Sequence, residues 1–403
     1  MKKIICTVLS ILLLGIGSLT PLAATVSSEG DLSDIDIPLE ASTTVAAIGQ
    51  TLDIKAKSAI LMEPHTGQIL YESNPDEQLA PASITKIMSL LLVMEAIDRK
   101  TMSLKDKISA SEHACSMGGS QIWLEPAETM TVDELLKAAV IASANDATVA
   151  LGEAIAGSEE GFVAMMNERA KELGMNNTNF INCTGLDAEG HFTTAHDVAV
   201  MSCELIKHDL IKNYSTVWMD TLRNGESELV NTNKLVRFYN GTTGLKTGTT
   251  STAGYCLSAT AERNGLELVA VIMGGDSSTD RFEGAKKLLD YGFANYSFVN
   301  IEPEYDKNQS IGVEKGAKAK VSTKVGAPIG LLLKKTEAAD IEQETIIKKN
   351  IKAPVKKGDV LGQVNIYING SQVGAIDITA TENVEQKSLA TMLWWLISGL
   401  FMP

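Results

Sequence analysis

Two stretches of strand character, 58–73 and 242–275, are separated by a long segment that reads mostly as helix. The first, SAILMEPHTGQILYES from Ser58, is two apolar runs around a His-Thr-Gly turn, the pattern of a hairpin. The second contains GLKTGTT, GYCLSATAE, an Arg-Asn-Gly turn and LELVAVIMGG, which read as consecutive antiparallel strands. Between them, Pro81 opens the apolar helix SITKIMSLLLVMEAID, and a largely helical stretch runs from Val132 to about Leu210. Within it, Thr194 followed by Asp197 resembles a capping box. A last helix, about Ser278 to Asn295, closes the unit. Strands at both ends of such a segment can pair with each other. The expected class is therefore α+β, one antiparallel sheet with helices packed on its faces.

After about Phe298 the character changes. Short Val/Ile runs alternate with Gly, Lys and Pro turns (KAKVSTKV, QVNIYING, QVGAIDITA), the signature of a small all-β domain. At the start of the chain, Lys2 and Lys3 precede an apolar run from Ile4 to Ile16 and small residues around Ala24. That is the layout of a secretory signal peptide, because the run is shorter than the roughly 20 residues of a membrane span. The other end, Ser388 to Met402, is rich in Leu, Met, Ile and Phe and holds the pair Trp394 and Trp395. It reads as an amphipathic helix lying in a membrane surface, or else as a helix docked on the protein's own core. The expected organisation is signal peptide 1–24, flexible acidic leader 25–50, the α+β domain 51–297, a β-rich domain 298–384 and an anchor helix 385–403.

Charge and cysteine usage exclude several classes. The chain carries 50 acidic against 35 basic residues, a net charge of −15, without the basic footprint of a nucleic-acid binder. Its cysteines are too few for a disulfide scaffold, and no C-x-x-C pair exists. Cys115, Cys183, Cys203 and Cys256 read as buried free thiols. The histidines are scattered without an H-E-x-x-H, so no metal centre and no cofactor is expected.

Three short motifs carry the chemistry. Ser83 and Lys86 stand three apart at a helix start, in contact reach. A serine hydroxyl needs a base to become a nucleophile, and a lysine is one only when its pKa is lowered by burial or nearby cations. Ser143-Ala144-Asn145 follows a helical run, where a hydroxyl and an amide can relay a proton and hold a carbonyl. Taken alone it reads as a helix cap. Lys246-Thr247-Gly248-Thr249 lies on a strand, with Lys246 and Gly248 on one side and the threonines on the other. Taken alone, it is an exposed strand with an ordinary lysine. An edge strand there would offer N–H groups to a peptide ligand and to an oxyanion. The three motifs in this order are far more specific than any one of them.

Together with the segments PASITKIM, SQIWLEP, ASANDA, NTNKLV and GGDSSTDRFEG, they make the chain resemble the low-molecular-mass penicillin-binding proteins, serine-type D-alanyl-D-alanine carboxypeptidases of the DacF-like type in peptidase family S11. The resemblance implies a domain with the fold of serine β-lactamases, a β-rich second domain and a terminal anchor. It implies that Ser83 is acylated and Lys86 is its base, while Ser143 and Asn145 position substrate and pass the proton. Lys246, Thr247, Gly248, Thr249 and Arg281 would bind the substrate carboxylate strand. The backbone N–H groups of Ser83 and Thr249 would form the oxyanion hole. The implied ligands are a peptidoglycan stem peptide ending in D-Ala-D-Ala and β-lactam antibiotics, met on the outer face of the cell membrane. Lys86, Lys246 and Arg281 would form a local cationic pocket, and their charges would lower the pKa of Lys86. Two positions depart from relatives that carry Arg and Asp there, namely Thr232 and Thr243.

Three rivals remain at this stage. A class A β-lactamase needs a glutamate for its deacylating water, and the stretch NCTGLDAEGHF lacks the Glu-x-x-Leu-Asn arrangement. A D,D-endopeptidase acting on cross-links uses the same residues. A non-catalytic cell-wall scaffold would not need Ser83, Lys86, Ser143, Asn145 and Lys246 intact.

Overall fold

The computed structural model describes residues 52–306, 309–336 and 340–388. The expected signal peptide, acidic leader and all but the first few residues of the terminal helix lie outside the described residues.

Strands β1 (Ser58–Met62) and β2 (Ile69–Ser73) form the expected hairpin. Strands β3 (Thr242–Thr250), β4 (Gly254–Arg263) and β5 (Leu266–Gly275) follow the helical segment. The five pair in the order β2-β1-β5-β4-β3, antiparallel throughout. The two ends of the segment thus meet at the β1–β5 pair, with Ile60 opposite Val271. Asn264 and Gly265, both at positive φ, make the tight turn between β4 and β5. Strand β3 is an edge, so alternate backbone groups along it are free to meet a ligand.

The sheet is buried on both faces, and the period of two divides it between two cores. Ile60, Met62, Val269, Val271 and Met273 face the helical side, with α1 (Lys86–Asp98), α2 (Val132–Ile141), α3 (Asn145–Ala156), α4 (Glu159–Glu172) and α5 (Ala195–Leu205). Ala59, Leu61, Leu268, Ala270 and Ile272 face α6 (Ser278–Asn295) through Phe282, Ala285, Leu288 and Leu289. Helix α1 runs through the larger core and is buried from Lys86 to Met94. An all-round apolar helix of this kind is a core element, not a surface one.

Three local readings are corrected. The Ser83 segment does not open an α-helix at Pro81: Ala82–Thr85 is a 3-10 turn, and α1 starts at Lys86. The Thr194 hydroxyl accepts the Asp197 N–H at 3.1 Å, but the carboxylate does not complete a box. It accepts the Asn177 N–H and the Thr178 hydroxyl instead. Strands also appear before Thr242, as the short pairs 107–109 with 129–131 and 219–222 with 227–230.

Beyond α6, Tyr296–Ile301 pairs with Ile329–Lys334. A second antiparallel sheet of five strands follows, formed by 310–312, 320–325, 371–380, 360–368 and 341–347 in that order. It has its own core around Val321, Val364, Ile366, Ile376 and Ile378. Among the described residues, no helix is long and apolar enough to cross a membrane.

Candidate active site

The fold brings all three motifs to one place, between the helical core and the exposed edge of β3. The 3-10 turn stacks residues i and i+3, which sets Ser83 directly over Lys86. The Lys86 Nζ lies 3.0 Å from Ser83 Oγ, 2.5 Å from Asn145 Oδ1 and 2.8 Å from the Thr184 carbonyl. The last two can only accept. A neutral amine has two N–H groups and one lone pair. With both N–H groups committed, the lone pair faces the Ser83 hydroxyl. The neighbours of Lys86 therefore define the geometry of a base.

The lysine is wholly buried, and burial pulls its pKa down to about 7, against opposing pulls from Cys183 and Asp146. This corrects the expectation that neighbouring cations depress it. Their influence falls on Lys246, which burial, Lys86 and Arg281 hold well below its usual range. Acylation should accordingly rise with pH through about 7 as Lys86 loses its proton, and fall about tenfold per unit below it. A profile of penicillin acylation that stays flat between about pH 5.5 and 8.5 would contradict this role.

Ser143 occupies the left-handed region, at φ 62°. Its hydroxyl accepts from Lys246 Nζ at 2.8 Å. The cap reading of this motif does not hold, because Ala144 stands at the N-cap position and Asn145 is the first residue of α3. The Asn145 amide is fixed at both ends: Nδ2 donates to the Gly118 carbonyl at 2.6 Å while Oδ1 accepts from Lys86.

On β3 the alternation is as expected. Lys246 reaches the helical side, and a side chain at Gly248 would stand 3.0 Å from the Ser83 N–H nitrogen. The strand and the Ser83 turn therefore abut at backbone distance. Thr247 Oγ1 donates to Thr232 Oγ1 at 2.7 Å, so the departure at Thr232 puts a neutral hydroxyl beside Thr247. Thr243 Oγ1 instead bonds Thr260 Oγ1, away from these groups. Arg281 comes from α6 and donates to Thr249 Oγ1 at 2.8 Å and to the Gly248 carbonyl at 3.1 Å. Burial lowers the Arg281 pKa only to about 10, so it is the permanent cation here at neutral pH.

Several contributors were not legible beforehand. The stretch NCTGLDAEGHF, which lacks the Glu-x-x-Leu-Asn arrangement, braces the site. Asn182 Oδ1 accepts from the Thr184 and Gly185 N–H groups and so aims the Thr184 carbonyl at Lys86. Asp187 accepts the Thr250 and Thr252 hydroxyls, tying this loop to the end of β3. His191 donates from Nε2 to Thr85 Oγ1 at 2.9 Å while Nδ1 accepts from Ile181 N–H; burial holds it neutral, at about 4. Asp146, next to Asn145, accepts the N–H groups of Ile122 and Leu124 and fixes the loop that carries the exposed Trp123. A cavity of about 360 Å³ lies along the bracing loop, between Pro81 and Thr252.

Gly185 is the tightest of these contacts. It sits at φ 87°, and a Cβ there would stand 1.8 Å from the Ala82 carbonyl oxygen. Gly185→Ala should displace either the nucleophile turn or the Thr184 carbonyl. A misplacement of this order lowers penicillin acylation by about 100-fold. Wild-type acylation in that variant would show that the contact is dispensable.

Residues 42–277 match peptidase family S11, described as D-alanyl-D-alanine carboxypeptidase. Residues 302–386 match the penicillin-binding protein 5 C-terminal domain. The D-alanyl-D-alanine carboxypeptidase DacF of Bacillus subtilis is 44% identical over 84% of this chain and 88% of its own length. Among solved structures, penicillin-binding protein 5 of Haemophilus influenzae superposes with a TM-score of 0.69 at 30% identity, covering 84% of this chain and all but 1% of its own (99%). The ampicillin-bound penicillin-binding protein D2 of Listeria monocytogenes gives 0.56 at 32% identity, over 60% of this chain and 100% of its own.

Proposed function

Since this chain belongs to the S11 family of D-alanyl-D-alanine carboxypeptidases, we propose that it removes the terminal D-alanine of peptidoglycan stem peptides through an ester on Ser83. The observation that carries the assignment is the setting of Lys86, whose acceptor-only neighbours leave its lone pair for the Ser83 hydroxyl. Ser83 passes its proton to Lys86 Nζ as Oγ attacks the penultimate D-alanine carbonyl. The backbone N–H groups of Ser83 and Thr249 hold the oxyanion, supported by the close approach of Gly248 to the Ser83 backbone. Collapse breaks the C–N bond, and the proton returns to the leaving amine through Ser143, which Lys246 holds in place. Water then cleaves the ester and frees the enzyme.

Substrate binding falls to Lys246, Thr247, Gly248, Thr249 and Arg281. The leaving D-alanine carboxylate lies near Thr247 and Thr249, drawn by the Arg281 charge. Its arrival favours the charged form of Lys246, which burial alone disfavours. Asn145 orients the acyl part. β-Lactams enter by the same route, because the amide next to their carboxylate mimics the scissile bond. Export by residues 1–24 and attachment of residues 385–403 to the outer membrane surface place the enzyme beside its polymer. The test is a peptide map after labelling with penicillin. The adduct is expected on Ser83, and an adduct on any other residue overturns the assignment.

A further inference from the structure

The second sheet ends in a lysine-rich face, and the chain leaves from that same end. Backbone contacts stitch three segments together there: Lys387 N–H donates to the Lys315 carbonyl at 2.9 Å, Ala317 N–H to Glu385 at 2.7 Å, and Val355 pairs with Val384. Glu314 also pairs with Lys352. Lys349, Lys352, Lys356 and Lys357 are exposed on these segments and the turn before them. Among the described residues, none of these four has a carboxylate partner at ion-pair distance, whereas the neighbouring Lys318 pairs with Glu382. Glu314, Asp359, Glu382 and Glu385 stand on the same segments, so the four lysines form a local basic cluster within a chain of net charge −15. Residues 389–403, which follow directly, contain no charged residue and include Trp394 and Trp395.

We propose that this lysine face docks on the anionic phospholipid headgroups of the membrane surface that the terminal segment enters. The inference rests on the anchor reading above. An uncharged, tryptophan-bearing segment binds bilayers with little regard to headgroup charge. Lysines held within a Debye length of the surface add a preference for anionic lipid that salt removes. They also offset the repulsion that the rest of this acidic protein would feel there. Because these four unpaired lysines sit together where the described chain ends, docking through them fixes which end of this domain faces the lipid.

The test uses the full mature chain and vesicles of phosphatidylcholine alone or mixed with phosphatidylglycerol. Wild type is expected to bind the anionic vesicles at least about tenfold more tightly at low salt, with the difference lost at high salt. The variant Lys349→Glu/Lys352→Glu/Lys356→Glu/Lys357→Glu is expected to bind both alike while releasing D-alanine from a soluble peptide at the wild-type rate. Replacing the same four residues by Arg is expected to keep the preference. Equal binding of wild type to both vesicles overturns the lysine proposal and leaves the anchor intact. Binding to neither overturns both. A preference retained by the Glu variant, or binding to soluble polyphosphate without any vesicle preference, also overturns it.

Discussion

Lys86→Met is expected to lower penicillin acylation by about 10²–10⁴ while the protein stays folded. Methionine keeps the length of the side chain and removes the amine, so the core around the start of α1 remains filled. The variant loses the lone pair that faces Ser83 and the two bonds to Asn145 and Thr184. Those acceptors are left unpaired, at a cost of about 1–3 kcal/mol each, against which a buried amine with a pKa near 7 no longer has to be desolvated. Stability should therefore change little, and the pH dependence of acylation through about 7 should vanish with the lysine. Stopped-time labelling with a fluorescent penicillin measures both. Labelling at the wild-type rate, with the same pH profile, would remove Lys86 from the role of base.

The effect of Lys86 is large because of where it stands. It opens a helix that is buried from Lys86 to Met94, and its side chain is wholly buried. The motif S-x-x-K shows that a serine and a lysine can meet. It does not show what depresses the lysine. Counting cations in the sequence pointed to Lys246 and Arg281, whereas burial sets the pKa and the nearest charges oppose it. That distinction depends on contacts between residues far apart in the chain, such as Lys86 with Thr184.

The same contrast holds for the fold. The β1–β2 hairpin, the three strands β3 to β5 and helix α6 were legible because alternation, Asn-Gly turn chemistry and helical spacing are local signals. The pairing of β1 with β5 followed from the need of isolated strands for partners. The 3-10 turn at Ser83 was not legible, since Pro81-Ala82-Ser83 suits an α-helix start equally well. The short pair 219–222 with 227–230 carries too few residues for alternation to register. The bracing role of Asn182, Gly185 and Asp187 arises only once that loop is laid against the nucleophile turn. Ser83, Lys86, Ser143, Asn145 and Lys246 were readable as an ordered set of motifs, and the structure gathers them into two hydrogen-bonded groups, Ser83–Lys86–Asn145 and Ser143–Lys246.

Ser83→Ala removes the group proposed to bond covalently to substrate. It should abolish covalent penicillin labelling and D-alanine release together, while the lysine, the amide and the edge strand keep their places. Because the three motifs act as a unit, the loss should be no smaller than that caused by Lys86→Met. The most direct measurement is D-alanine release from a diacetyl-Lys-D-Ala-D-Ala peptide, wild type beside Ser83→Ala. Release by wild type that disappears in the variant is the expected result. Release that persists in Ser83→Ala, or wild type that binds penicillin covalently yet frees no D-alanine from this peptide, would contradict the account.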